Sequence, residues 1–345
     1  MKRTRRTTLV EVAARAGVHV STASRALNAA TRHLLSDDVV TRVARAAQEL
    51  GYRRDPLAPG ARGQASGMIG LLVPRIDDPI YPTIFRAVME RLGENYVTFI
   101  GETNNHRARQ RTLIERMIAR DVDGLLIATF HIRDPHVRLC LSAGTPTVSI
   151  VRDPELGRIS SVVSDDMATG RLATEHLAAL GHREIAHIAG PLVASSAKRR
   201  RDGFYAAVAA WPSPITALEV DATLYTIEEG RRCTAEIVER FPTCTGIVAA
   251  NDMLAFGCIV ELRERGIACP GQISVVGIND MPFMNLLSPA LTTVRNFIQA
   301  VGHEAADLLL KLIENSNQPQ MSITLPPQLI VRESSSAPAA TAVRR

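Results

Sequence analysis

Across residues 67–333 the chain repeats one texture, a short apolar run followed by a longer amphipathic stretch. A strand buried on both faces reads as a continuous apolar run, and the helix that returns over it shows one apolar stripe. The alternation therefore predicts βαβ units around parallel sheets. The runs predict strands over 68–73, 97–101, 124–128, 147–151, 184–189, 246–250 and 273–277. Helical patterns fall between them, among others at 82–92, 108–120, 168–180, 198–211, 227–241 and 255–265. So many strands exceed a usual single sheet, and two α/β lobes with a cleft between them are the economical arrangement.

The first fifty residues differ. Thr8-Leu-Val-Glu-Val-Ala-Ala-Arg-Ala-Gly17 is followed by Val-His-Val-Ser-Thr-Ala-Ser-Arg-Ala-Leu-Asn28. Thr8 and Glu11 have capping-box spacing, which predicts a helix start. Gly17 permits the left-handed conformation that ends this helix after two turns. Leu9, Val12, Ala13, Val18, Ala23 and Leu27 then form one apolar seam, leaving polar groups on the outer face of a second helix. A third helix is predicted from Ser36, as N-cap before Asp37 and Asp38, to Leu50 before Gly51. Three helices in this space make a small all-α helix-turn-helix DNA-binding domain.

Charge supports that division. Residues 1–62 carry 12 Lys and Arg against 5 Asp and Glu, an excess of +7, and the remainder carries 28 against 30, or −2. A basic head on a near-neutral body implies a polyanion held at one end, with membrane headgroups the weaker alternative. The 46% apolar and 4% aromatic content suits globular cores. No apolar run is long enough to span a membrane, and Glu11 and Arg15 interrupt any signal-peptide core, so the expected location is cytoplasmic. Five cysteines, Cys140, Cys233, Cys244, Cys258 and Cys269, show no metal-ligand spacing and read as buried free thiols.

The expected organisation is a head at 1–52, a Pro- and Gly-containing hinge linker at 53–66, a two-lobed effector-binding and dimerisation domain at 67–333, and a disordered Ser/Ala/Pro tail at 334–345.

Catalytic readings are thin. The chain has no dinucleotide fingerprint, phosphate-binding loop, nucleophile elbow or zinc-protease motif, and no cofactor is expected. His182 and His187 flank a strand entry and read as structural. Asp77-Asp78, Asp165-Asp166 and Glu228-Glu229 read as loop and helix-start acids. A transport-associated binding protein would share the body, and the head argues against it.

These residues together resemble the LacI/GalR-type transcription regulators over essentially the whole length. The head pattern carries the resemblance, with Leu50-Gly-Tyr52, Ile69-Gly-Leu-Leu-Val-Pro74, Val122-Asp-Gly-Leu-Leu-Ile127, Leu180-Gly-His-Arg-Glu-Ile-Ala-His-Ile-Ala-Gly-Pro191, Arg201-Asp-Gly-Phe204, Ala250-Asn-Asp252, Ile273-Ser-Val-Val-Gly277 and Leu329-Ile-Val-Arg332. The resemblance implies a homodimeric regulator, expected to repress a carbohydrate or sugar-acid catabolic operon. Its body is similar to periplasmic binding proteins, and a small effector there controls affinity for double-stranded operator DNA. An activator, or a regulator answering to a purine or another metabolite, is the alternative.

By that resemblance Val20, Ser21 and Arg25 read bases in the major groove, with Arg25 placed for a bidentate contact to guanine. Thr22, Ser24, Asn28 and Tyr52 fall where the family contacts phosphates. His19 stands where a small hydroxyl residue usually caps the helix, and Val39 where a phosphate-binding Thr is common. The family's linker forms a short hinge helix that wedges a Leu into the minor groove. Ala61 takes that position here, and the preceding Pro59 and Gly60 disfavour a helix. Either Leu57 supplies the wedge or minor-groove kinking matters less in this protein.

The family's effector pocket maps to Tyr81 in the first lobe and to Ser196, Arg200, Tyr225, Asn251 and Asn279 in the second. Val151 and Asn279 stand where the family often has Asp. The basic run Lys198-Arg-Arg-Arg201 opens a predicted helix, where cations are disfavoured; solvent and Asp202 offer some relief, and a bound anion or polyol would offer more. Together these features lean toward an acidic effector, a sugar acid or a phosphorylated metabolite.

Overall fold

The computed structural model describes residues 7–27, 31–50, 52, 66–154, 157–315 and 317–339. The chain divides into two compact units, residues 1–66 and 67–345. The hinge residues Leu57 and Ala61, and Asn28 in the head, lie outside the described residues.

In the first unit, helix α1 spans Leu9–Ala16, α2 Val20–Ala26 and α3 Asp37–Glu49. Both halves of the capping box are present: the Glu11 amide donates to Thr8 Oγ1 at 3.3 Å, and Glu11 Oε2 accepts from the Thr8 amide at 2.6 Å. Gly17 stops α1 at φ 65°, in the left-handed region a side chain would resist. His19 caps α2 in place of a hydroxyl residue, its Nδ1 accepting from the Ser21 amide. Ser36 holds the N-cap position of α3 but makes no side-chain capping bond, a correction to the expected role. The residue is exposed, so water can serve the first amides, and Asp37 and Asp38 still face the positive helix end. Val12, Ala13, Ala23, Val43, Ala46 and Ala47 form the core.

The second unit begins with β1 at Met68–Val73 and continues through α4 (Ile80–Leu92), β2 (Val97–Glu102), α5 (Arg107–Ile118), β3 (Gly124–Ile127), α6 (Val137–Ala143), β4 (Thr147–Ile150) and β5 (Ser160–Ser164). The chain then crosses to a second lobe, built from α7 (Asp166–Ala179), β6 (Glu184–Ala189), α8 (Ser195–Ala210), β7 (Thr216–Asp221), α9 (Ile227–Arg240), β8 (Gly246–Ala249), α10 (Asp252–Glu264), β9 (Ser274–Asn279) and β10 (Thr292–Arg295). It returns to the first lobe for α11 (Ile298–Glu314) and β11 (Ser322–Leu325) and crosses a third time to β12 (Gln328–Ile330). One sheet has the order β11-β5-β4-β3-β1-β2, the other β12-β10-β9-β8-β6-β7. All pairings are parallel except β12 against β10.

Five of these strands are not legible in the apolar pattern. β5 is Ser-Ser-Val-Val-Ser, buried throughout yet mostly hydroxyl, β10 is Thr-Thr-Val-Arg, and β7, β11 and β12 are half-exposed edges. The expected disordered tail is also corrected at its start. Ser334 is fully buried, its Oγ donating to the Val275 carbonyl at 2.6 Å, and the Ser336 carbonyl meets His182 Nε2 at 2.9 Å. Backbone pairing along β9 orders 334–336 despite their polar composition, and residues 340–345 lie outside the described part. The five cysteines are free thiols, four of them buried and Cys269 half-buried. No helix among the described residues is long and apolar enough to cross a membrane.

Candidate DNA-reading face and effector cleft

Helix α2 turns two faces in opposite directions. Ala23 and Ala26 are buried, Ser21 and Arg25 are exposed, and Thr22 and Ser24 are half-buried between them. Val20 and Tyr52, expected at the DNA, are half-buried and pack on the apolar core of the head. Val39 packs there too. Among the described residues Arg25 forms no ion pair, so its guanidinium is available to an outside partner.

In the body, six sequence-derived residues converge. Tyr81, Ser196, Arg200, Tyr225, Asn251 and Asn279 line one cavity together with Asp78, Ile80, Val151 and Arg152. Except for the helix-borne side chains, they follow the carboxyl ends of parallel strands, where α/β sheets place their ligands. The cavity is small, about 20 Å³, which admits a single water. A wider cavity of about 580 Å³ adjoins it and shares Ile80 and Asn279.

Arg200 is placed by close helix packing. A Cβ on Gly170 would lie 2.0 Å from the Arg200 carbonyl, and one on Gly203 would lie 2.1 Å from that of Met167. Only glycine permits α7 and α8 to touch this way. Arg200 Nε then donates to Asp166 Oδ1 at 2.7 Å, and Nη1 donates to the Ala250 carbonyl at 2.7 Å. The Asp202 relief expected for the basic run is present, and the expected advantage of a bound anion or polyol is corrected. Lys198 pairs with Asp202, Arg199 with Asp153, Arg200 with Asp166 and Arg201 with Glu219. Folding supplies each cation with a carboxylate, so no bound anion is needed to stabilise the helix start.

Asp78, read from the sequence as a loop acid, and Arg152 were absent from the expected pocket, and Val151 entered it only as the place of a missing family Asp. Val151 holds φ 63°, and the Arg152 amide donates to the Ile150 carbonyl at 2.6 Å, closing a strained three-residue turn. This turn presents Arg152 to the cleft, where Nη1 donates to Asn105 Oδ1 at 3.0 Å and the residue is buried. Burial pushes the Asp78 carboxyl up to about 6, against the Ile80 amide and the pull of Arg200 and Arg152. Two guanidiniums thus meet two carboxylates, Asp78 and Asp166. The charge of the cleft comes out even, which removes the electrostatic basis for an acidic effector. The position of Asp78, just beyond the carboxyl end of β1, was the signal that would have found it.

Polar groups complete the wall. Asn251 Oδ1 caps α10 through the Leu254 amide at 2.9 Å, and Asn279 Oδ1 lies 3.2 Å from Asn296 Nδ2. Across the lobes, Ser195 Oγ accepts from the Asp153 amide at 2.8 Å. The Tyr225 hydroxyl is buried and has no partner among the described residues. Burial also raises both Tyr81 and Tyr225, so each remains a neutral phenol. His182 and His187 lie apart from the cleft wall: His187 Nδ1 donates to the Val248 carbonyl at 3.0 Å, the ring stacks on Phe204, and burial lowers it to about 4. Among the described residues no group of three His, Cys, Asp or Glu is placed to hold a metal.

A helix pair of the DNA-reading type and a two-lobed α/β body with a polar cleft, in one chain, define a ligand-responsive DNA-binding transcriptional regulator. Residues 8–55 match the model of bacterial regulatory proteins of the lacI family, and residues 174–335 match a periplasmic binding protein-like domain. The ribose operon repressor of Halalkalibacterium halodurans is 32% identical, over 95% of this chain and 96% of its own. The structure of the lac repressor dimer bound to operator and an anti-inducer covers 96% of this chain and 100% of its own at 27% identity, with TM-score 0.76. The transcriptional regulator CelR in complex with cellobiose covers 95% and 100% at 28% identity, with TM-score 0.72. The chain belongs to the lacI family of bacterial regulatory proteins, and these relatives are transcriptional regulators.

Proposed function

We propose that the protein acts as a homodimeric repressor on a pseudo-palindromic double-stranded operator, and that a small hydroxyl-rich effector in the cleft sets its DNA affinity. Each head offers only a short reading face, so two heads on one side of the duplex require half-site centres about 10 bp apart. Ser21 and Arg25 supply the base contacts, with Val20 shaping the start of the helix. Thr22, Ser24, Tyr52 and, outside the described residues, Asn28 meet phosphates.

The observation that carries the effector reading is a charge-even cleft lined by Tyr81 and Tyr225 with amides and hydroxyls around them. Aromatic faces with a few fixed polar groups suit a sugar ring, which enters when the lobes part, because the cavity as it stands holds about one water. Two of the relatives carry a sugar in their names, the ribose operon repressor and CelR with cellobiose. A carbohydrate operon follows as the regulated target. A sugar acid is the second reading, favoured by Arg152, which has donors beyond its bond to Asn105. A phosphorylated metabolite has less support, because the cleft holds no excess of positive charge.

Thermal melting with a panel of neutral sugars, polyols, sugar acids and phosphorylated sugars tests this, since a ligand that binds only the folded state raises its stability. A neutral sugar should raise the midpoint most. Asp78→Asn, which leaves the cleft one positive charge in excess, should shift the preference toward acids. If only acids stabilise the parent protein, the sugar-acid reading replaces this one.

A further inference from the structure

A buried chain of polar side chains runs from the cleft to the crossovers between the lobes. Asn279, at the end of β9, lines the cleft and is 4% exposed. Its Oδ1 is 3.2 Å from Nδ2 of Asn296, which lies in the second crossover and is 1% exposed. Asn296 Oδ1 is 2.9 Å from the hydroxyl of Thr169, in the first turn of α7, which has no exposure. That hydroxyl is also 2.8 Å from the carbonyl of Asp165 in the first crossover. The Asp165 amide in turn donates to the Leu325 carbonyl, at the third crossover, at 2.9 Å. All three crossovers therefore meet at one short hydrogen-bonded path.

The Thr169 hydroxyl carries one proton and faces two oxygens. Amide oxygen and nitrogen are assigned only through their partners, so the path has two registers. If Thr169 donates to Asn296 Oδ1, Asn296 Nδ2 donates to Asn279 Oδ1, and Asn279 offers its Nδ2 donor to the cleft. If Thr169 donates to the Asp165 carbonyl, both amides reverse. Asn296 then donates to Thr169 Oγ1, Asn279 donates to Asn296 Oδ1, and the cleft receives an acceptor. Both registers keep a donor facing an acceptor at every link of the path, as a buried network in a low-dielectric interior demands. Next to Asn296, Phe297 holds φ 27° and ψ 50°, a strained backbone of the kind found at switch regions.

We propose that Thr169, Asn296 and Asn279 form a two-register amide relay in which Asn296 is the positioning residue that couples the donor or acceptor character of the effector to the lobe crossovers. A carboxylate, carbonyl or ether oxygen selects the first register. A hydroxyl that donates to Asn279 selects the second. The inference rests on the effector reading above for its ligand end, whereas its crossover end is a property of the ligand-free chain.

The two ends are tested separately with the full-length protein, using Thr169→Val, which keeps the shape and removes the hydroxyl, and Asn296→Leu. In ligand-free protein, hydrogen exchange at the amides of Asp165 and Thr169 should rise at least tenfold in both variants, with β8 unchanged. Unchanged exchange at Asp165 and Thr169 overturns the relay. With D-ribose and D-gluconate as probes, Thr169→Val should bind either sugar within threefold of the parent by calorimetry. Its sugar-driven change in operator affinity should fall to under a third of the parent's. A response equal to the parent's, or one lost only in proportion to sugar affinity, overturns the coupling. A parent protein that binds neither probe counts against the effector reading, and the exchange result then decides the relay alone.

Discussion

Arg200 and Asp166 form an ion pair at 2.7 Å with side chains only 6% and 3% exposed, held between two helices that touch through glycine. A guanidinium assigned by family resemblance to the ligand is thus equally a structural strut. Breaking a buried pair from one side leaves the other charge stranded, at about 3–5 kcal/mol. Arg200→Ala should therefore lower unfolding free energy by that amount, measured by denaturant titration, as well as weaken the effector. Arg200→Met combined with Asp166→Leu should recover most of the stability. A stable Arg200→Ala protein that merely loses its effector would restore a purely ligand-binding role.

The helix contact beneath that pair predicts a second effect. Gly203→Ala places a methyl 2.1 Å from the Met167 carbonyl, and backbone cannot yield as a flexible side chain can. Overpacking of this kind costs about 1–3 kcal/mol. A thermal melt should show the loss. An unchanged midpoint would mean that α7 and α8 separate freely.

Asp252 supplies a pH signature. It is fully buried, accepting from the Met281 amide at 2.7 Å and the Thr293 hydroxyl at 2.6 Å, and burial pushes its carboxyl up to about 7. Its folded-state value lies above the unfolded one, so its stabilising contribution is complete below the unfolded value and is lost as pH rises through 7. His187, lowered to about 4, acts with the opposite sign and only at acid pH. Subtracting Asp252→Asn from the parent isolates the carboxyl. The variant should gain on the parent as pH rises from the unfolded value of 3.8 to about 7, by up to about 1.4 kcal/mol per pH unit, and no further above that. A difference that does not vary with pH would show that Asp252 stays ionised throughout.

In the head, Arg25 is exposed beside Ser21 and forms no ion pair among the described residues. Arg25→Ala should weaken operator binding by about 1–3 kcal/mol and barely change binding to random DNA, as loss of a base contact does. Titrations on both DNAs at one salt concentration check this. Equal losses would make Arg25 a phosphate contact.

Much of this was legible from local pattern alone. A capping box, a left-handed glycine and an apolar seam each act within a few residues, so the sequence was sufficient to define α1, α2 and the polar face that carries Ser21 and Arg25. Apolar runs likewise disclosed seven strands, six inside the two sheets and the edge strand β2. The other edge strands and the strands next to the crossovers escaped because their residues are polar or half-exposed. β5, three of its five residues serine, is a strand only because β4 and β11 pair with it.

The sequence by itself determined the two-part architecture, the basic head and the six residues that gather at the cleft. The tertiary structure alone decided the charge of that cleft. Asp166 neutralises Arg200 from another helix, Asp78 faces Arg152 and Arg200 from another strand end, and Arg199 and Arg201 find Asp153 and Glu219 through folding. Electrostatic energy depends on distance and burial in three dimensions, and neither can be counted along a chain.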